Sequence, residues 1–260
     1  MYIVDVHAHL DFEEYDKDLD RVIGENQSSG VKAIINNGVN PESNRKVLEL
    51  AKKYDVIKPA LGFYPVWAAQ AKEEAFDAEV EFISKQEKIV AIGEVGLDYI
   101  KGDDNPHGDK YKNEMKACFE KLIRLAEKKR LPMICHSRRA EQDVIEMLES
   151  SSLKPNQVVM HCFMGRQHLV KRIIDKGWSM SIPCIVTRLQ QLQENVAMAP
   201  MNQLLTETDS PYMSPHIDIK RNEPRFIIEG LKKIAEIKKL DIDETSKMIY
   251  MNYQNLFNRF

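Results

Sequence analysis

The sequence predicts an α/β fold, a single (β/α)8 TIM-type barrel occupying residues 1–260. Two patterns predict it. Short apolar runs rich in Val, Ile, Leu and Met recur eight times, over residues 2–7, 31–36, 57–61, 89–94, 131–136, 157–161, 178–182 and 203–208. Between them lie stretches with apolar residues at helical spacing, and no linker, low-complexity tract or other repeat divides the chain. Continuous apolar runs of this length suit strands buried on both faces, as in a closed parallel barrel. An open doubly wound sheet is the alternative. It would place a Gly-rich turn after the first strand, and none is present.

Each helix has its own signal. Residues 18–27 run into the stop Ser28-Ser29-Gly30, and Pro41 opens a helix over 42–53 with Val47, Leu48, Leu50 and Ala51 on its apolar side. Phe76, Val80 and Ile83 pattern residues 75–86. Tyr111, Met115, Cys118, Phe119, Leu122, Ile123 and Ala126 predict a long amphipathic helix before Leu131-Pro132. Val144, Ile145, Met147 and Leu148 mark the next; Leu169, Ile173 and Ile174 mark another, stopped at Gly177. Leu189, Leu192 and Val196 predict a shorter helix, and two more end the chain over about 224–239 and 243–257. Residues 96–110, with Gly102-Asp103-Asp104-Asn105-Pro106, read as a polar loop suited to a lid, and residues 210–222 as a second long loop.

Composition bounds the function. Charged residues make up 30%, the net charge is −3 and the pI near 6.2, which excludes a strongly basic nucleic-acid binder. A polyanionic substrate would have to be attracted by a local patch or a metal. There is no apolar run long enough for a membrane span, and no basic and apolar leader is read at the N-terminus. Cys118, Cys135, Cys162 and Cys184 lack C-x-x-C spacing, so reduced thiols and a cytoplasmic protein are expected.

The chemistry-bearing residues gather at strand ends. Asp5-Val6-His7-Ala8-His9 closes the first run, where alternation should project Asp5, His7 and His9 to one side. Glu94 ends the fourth run, His136 the fifth, His161 the sixth, and Asp209 follows the eighth. In a barrel these ends form one rim, where active sites lie. Four of the seven histidines and two carboxylates therefore converge. A catalytic zinc needs about three protein ligands, so six residues suit two divalent ions bridged by Glu94. His7, His9 and Asp209 are expected at the first ion and His136 and His161 at the second. A water between the ions is the expected nucleophile, and Asp209 an acceptor for its proton. Imidazoles favour Zn, Mn or Fe over Mg. Glu207 should share a face with Asp209 and hydrogen-bond a ligand imidazole.

These same stretches resemble the TatD family of the metal-dependent amidohydrolase superfamily. The motifs are Asp5-Val6-His7-Ala8-His9, Gly93-Glu94-Val95-Gly96-Leu97-Asp98-Tyr99, His136-Ser137-Arg138, His161-Cys162-Phe163 and Glu207-Thr208-Asp209-Ser210-Pro211-Tyr212, with Arg221-Asn222-Glu223-Pro224 and the tail Asn252…Leu256-Phe257. The resemblance runs almost end to end. It implies a divalent-metal hydrolase, often a Mg-dependent deoxyribonuclease acting from a 3′ end, with His7, His9, Glu94, His136, His161 and Asp209 as ligands. The chain departs from that pattern at Gly62-Phe63-Tyr64-Pro65, where the family commonly has Gly-x-His-Pro. It also departs at Met164-Gly165, where Ser-Gly is usual, and at Cys184, where Gly is common.

Substrate contacts are expected from Tyr64, Arg138 and Arg221, with Arg166 and Arg188 weaker candidates. Trp67, read as a loop residue, could stack on a base or pack beneath the loop. Cys135 and Cys162 are expected to be buried packing residues, His107 and His168 surface residues, and Asp98 and Tyr99 part of the lid. The expected substrate is a phosphodiester at a single-stranded nucleic-acid end. Hydrolysis of an ester, lactone or amide in a small molecule is the alternative, and a non-catalytic metal-binding scaffold the second.

Overall fold

The computed structural model describes residues 1–102 and 105–257. Eight parallel strands pair in chain order: β1 (Ile3–Ala8), β2 (Val31–Asn37), β3 (Ile57–Leu61), β4 (Ala91–Asp98), β5 (Met133–Arg138), β6 (Val158–His161), β7 (Ser179–Pro183) and β8 (Leu204–Glu207). The ring closes just above β8. Asp209 donates its N–H to the His7 carbonyl and His9 donates to the Ser210 carbonyl, both at 2.8 Å, and Ala8 bridges Ser210 in parallel. The buried network of Asp5 reinforces this seam: its carboxylate accepts the N–H groups of His7 at 3.1 Å and Thr208 at 3.0 Å.

The outer layer comprises α1 (Leu19–Ser28), α2 (Pro41–Lys53), α3 (Pro65–Gln70), α4 (Glu73–Ser84), α5 (Lys112–Lys129), α6 (Glu141–Glu149), α7 (Gln167–Asp175), α8 (Gln190–Met198), α9 (Ile227–Lys238) and α10 (Ile242–Phe257). The apolar faces read from the sequence are the buried ones, as with Met115, Phe119, Leu122, Ile123 and Ala126 of α5. Helix α2 begins as Pro41 foretells, with the Asn40 side chain accepting the Ser43 N–H at 2.9 Å. Strand residues pack both outward against these helices and inward, and all of β4 is buried. Among the described residues, no helix is long and apolar enough to cross a membrane.

Three local expectations fail for identifiable reasons. The fourth strand was expected over 89–94 but runs Ala91–Asp98, pairing Gly96 with His136 and Asp98 with Arg138. Its polar residues and glycines hide this length in the sequence. Gly96 has φ +146°, and a Cβ there would lie 2.0 Å from the His136 carbonyl oxygen, so the approach of β4 to β5 demands glycine. Second, the stretch after Tyr64-Pro65 is not a loop: Pro65 starts the short helix α3, which carries Trp67. Third, the loop expected over 96–110 starts only after Asp98, and buried Asn105 ties it down by donating to the Asp98 and Gly108 carbonyls at 3.0 Å each. Asp103 and Asp104 of that expected lid lie outside the described residues.

Candidate metal centre

Six side chains meet at the carboxyl ends of the strands. His7 and His9 come from β1 and the residue just beyond it; Glu94 comes from within β4; His136 from β5; His161 from the end of β6; and Asp209 from the turn after β8. Simple alternation does not explain every position. The β1 ladder shifts register between Asp5 and Ala8, so Asp5 turns to Thr208 and stays out of the cavity while His9 enters it. Asp209 sits at φ +55°, a left-handed kink that aims its carboxylate inward. Gly62 lets β3 approach Glu94: a Cβ there would lie 2.5 Å from the Glu94 carbonyl oxygen.

Glu94 is shared by two half-sites, one with His7, His9 and Asp209 and one with His136 and His161, and a further close group, His7, His161 and Asp209, spans the two. On one side, Glu94 Oε2 lies 3.6 Å from His7 Nε2 and 3.5 Å from His9 Nε2. Asp209 Oδ1 lies 3.5 and 3.4 Å from the same nitrogens, which are 3.1 Å apart. On the other side, Glu94 Oε1 is 2.8 Å from His136 Nδ1 and 3.8 Å from His161 Nε2. Ligands about 2.1 Å from a tetrahedral ion are themselves separated by roughly 3.4 Å. The separations around His7 and His9, 3.1–3.6 Å, are close to that spacing, while the 2.8 Å between Glu94 and His136 is a direct contact, and the N and O donors suit a divalent metal.

Behind three of the four imidazoles stand acceptors that fix the ring. His9 Nδ1 lies 2.9 Å from the Asn37 carbonyl, His161 Nδ1 3.1 Å from Glu207, and His136 Nε2 3.2 Å from Asp98 Oδ2. An acceptor on one nitrogen leaves the other as a lone-pair donor facing the centre. Glu207 has the position expected of it and is also bonded by the Ser181 hydroxyl. His7 Nδ1 is buried without a hydrogen-bond partner.

The electrostatics reflect confinement of ionisable groups. Burial opposes the charge on Glu94, but hydrogen bonds from His136 and His7 outweigh it and hold its carboxyl well below the usual range. Asp209 is likewise held low: burial opposes its charge, and His9, His161 and His7 outweigh it. His9 is pushed up to about 9 and His136 to about 10; burial disfavours both cations, but Asp209 and Glu94 stabilise the first and Asp98 and Glu94 the second. His7 is pushed down by burial and by the neighbouring His161. Cations are therefore welcome between these carboxylates, and metal ions would take the place of protons.

The centre opens into a cavity of about 510 Å³. Tyr64 and Arg138 line it. The Tyr64 hydroxyl, however, is committed to Asp98 Oδ2 at 2.6 Å, so its ring forms wall while its O–H supports the carboxylate that orients His136. Arg138 is half exposed, its guanidinium 4.0 Å from Asp98.

Arg221 does not reach the cavity. It donates to both Asp18 carboxylate oxygens at 2.8 Å and to the Glu14 carbonyl at 2.6 Å, and its guanidinium lies 4.8 Å from the Tyr15 ring centre. Its planar fork found a carboxylate of its own chain, which a motif in sequence cannot reveal. Arg188 is similarly turned to the Ser214 carbonyl, at 2.9 Å. Cys135 is buried as expected, but Cys162, at φ +40°, lines the cavity with its Sγ 3.9 Å from Met213 Sδ. Asp98 is the site residue that sequence reading misplaced. Its signal lay in the two-residue steps from Glu94 through Gly96, which continue the strand to Asp98.

The model of the family described as TatD related DNase matches residues 4–258. An uncharacterized metal-dependent hydrolase, YabD, of Bacillus subtilis is 34% identical over 98% of both chains. The 3′-5′ ssDNA/RNA exonuclease TatD of Erwinia tasmaniensis is 28% identical, covering 98% of this chain and 99% of its own. Among solved structures, the TatD homologue YjjV of Escherichia coli superposes with a TM-score of 0.88 at 27% identity, covering 98% of each chain.

Proposed function

Because this chain belongs to the TatD family of metal-dependent hydrolases, we propose that it is a deoxyribonuclease that shortens single strands from the 3′ end. We assign His7, His9, Glu94, His136, His161 and Asp209 as ligands of two divalent ions, Zn or Mn by the chemistry of the donors, with Mg as the alternative. The observation that carries this reading is the division of Glu94, whose two oxygens address separate histidine pairs at 2.8–3.8 Å. A buried carboxylate so placed suits a bridge between two cations. When bound, the ions would lower the pKa of a water to about 7 and offset charge developing on phosphate.

The residues divide the remaining work. Asp209, held as a carboxylate, is the cavity-facing base that accepts the proton of the attacking water. Asp98, Glu207 and the Asn37 carbonyl keep three imidazoles in one tautomer and orientation. Arg138 offers its guanidinium to a phosphate oxygen at the mouth. A reducing, cytoplasmic setting fits four free cysteines.

A second reading, hydrolysis of an ester, lactone or amide in a small molecule, draws support from the aromatic and methionine walls of the cavity. A single assay separates the two. A single-stranded oligonucleotide labelled at its 5′ end and a panel of lactones and esters are incubated with enzyme loaded with each metal in turn. Stepwise shortening of the oligonucleotide is the expected result. Turnover of a lactone or ester beside an intact oligonucleotide would overturn the nuclease assignment.

A further inference from the structure

The mouth of the cavity is built from aromatic faces more than from charge. Trp67, from α3 above β3, is 42% exposed, and Tyr212, from the loop above β8, is 53% exposed, so both present apolar surface to solvent at the rim. Each is held from behind by a second ring. Tyr64 meets Trp67 edge-on with centres 5.9 Å apart, and Phe12 meets Tyr212 edge-on at 6.3 Å. Phe12 is itself stacked on His9 of the metal centre at 4.9 Å, which ties this wall to the reacting end of the cavity. In an eight-stranded ring β3 and β8 stand three strands apart, so the two aromatic pairs rise from well-separated sectors of the rim. Among the described residues lining the cavity, Arg138 is the one lysine or arginine.

A large exposed aromatic residue costs solubility and is unneeded for the core, whose apolar residues are already buried beneath it. Two such residues, each braced and each flanking the entrance to a metal centre, are a binding feature. Resting on the nuclease reading above, we propose that Trp67 and Tyr212 are a nucleobase clamp: they stack on unpaired bases at the strand end, and Arg138 holds one phosphate between them. Aromatic stacking accepts every base, because every base has a π face, so the clamp reads single-strandedness and not sequence. A paired terminus hides those faces within its own stack and would be a poor substrate. The arrangement also answers how a chain of net charge −3 holds a polyanion: most of the grip is not electrostatic.

The test uses full-length enzyme and two single-stranded oligonucleotides that differ only at the 3′-terminal residues, natural in one and abasic in the other. Wild-type enzyme is expected to show a KM about ten-fold or more higher on the abasic end, with kcat changed much less. Trp67→Ala and Tyr212→Ala should each raise KM on the natural end by a similar factor and lose the preference for it. Trp67→Phe, which keeps a stacking face, should recover most of that loss. Binding is read independently in the Asp209→Asn variant by quenching of tryptophan fluorescence with oligothymidylate. Quenching by stacking reports on Trp67, since the other tryptophan, Trp178, is only 4% exposed and out of reach of a base.

The outcomes distinguish the clamp from the activity it rests on. Quenching without hydrolysis would uphold the clamp and overturn the nuclease reading. Hydrolysis of natural and abasic ends with equal KM, unaltered in Trp67→Ala and Tyr212→Ala, would overturn the clamp and leave the nuclease standing. Neither quenching nor hydrolysis would overturn both.

Discussion

At the scale of single residues, the chain of Tyr64, Asp98 and His136 carries a prediction that separates support from catalysis. Tyr64 donates to the carboxylate that holds His136 Nε2, so the phenol supports the candidate metal centre at one remove. Asp98→Asn keeps the shape but weakens the acceptor. It is expected to lower divalent-metal affinity about 10- to 100-fold, read by calorimetric titration of metal-free protein. Tyr64→Phe should move affinity in the same direction by less. Metal affinity unchanged in Asp98→Asn would show that His136 is fixed by something else. The convergence of these six side chains was legible in sequence because His and acidic residues at strand ends have few other reasons to gather on one rim. The support was not. Asp98 reaches His136 only because β4 continues beyond Glu94, and that continuation depends on glycines and on a partner strand distant in sequence.

At the scale of elements, two ion-pair clusters fasten the layers, and each gives a stability prediction. Arg221 locks the last long loop to the approach of α1 through Asp18 and lies over Tyr15. Arg221→Ala should therefore cost about 1–2 kcal/mol of stability, the cluster being partly exposed, and leave KM for an oligonucleotide unchanged. Urea unfolding and steady-state kinetics check the two halves; a raised KM with unchanged stability would return Arg221 to the substrate site. Asp143 of α6 receives Lys112 and Lys116 of α5, each at 2.9 Å, and the Tyr99 hydroxyl at 2.8 Å. Burial opposes its charge, but the two ammonium groups and the hydroxyl outweigh that and hold its carboxyl at about 2. A folded pKa below the unfolded one gives stability that is present above the ordinary carboxylate range and lost as pH falls toward about 2. Asp143→Asn should thus cost about 0.5–1 kcal/mol at pH 7, discounted for solvent screening, and progressively less as the medium is acidified. A deficit that stays constant with pH would mean the interaction is not ionic.

At the scale of the molecule, the barrel was readable because eight buried strands leave eight apolar runs, and helix faces leave their own period. What stayed hidden was which polar residues face each other across the mouth. Arg138 and Arg221 looked equivalent as strand-end arginines, yet one opens onto the cavity and the other is spent on Asp18. With Arg138 the cavity's one lysine or arginine among the described residues, Arg138→Ala should reduce the salt slope of single-strand binding by about 0.7. Binding measured across a salt series checks this, and an unaltered slope would place the phosphate elsewhere. In the role proposed for it, Glu94 would join two ions into one hydrolytic centre. Its most direct test is metal stoichiometry of wild-type and Glu94→Ala protein after identical loading with Zn or Mn, with circular dichroism to confirm that both remain folded. Two ions per wild-type chain are expected, with loss of the pair, together with oligonucleotide hydrolysis, in the variant. Two tightly held ions and undiminished turnover in Glu94→Ala would contradict that role.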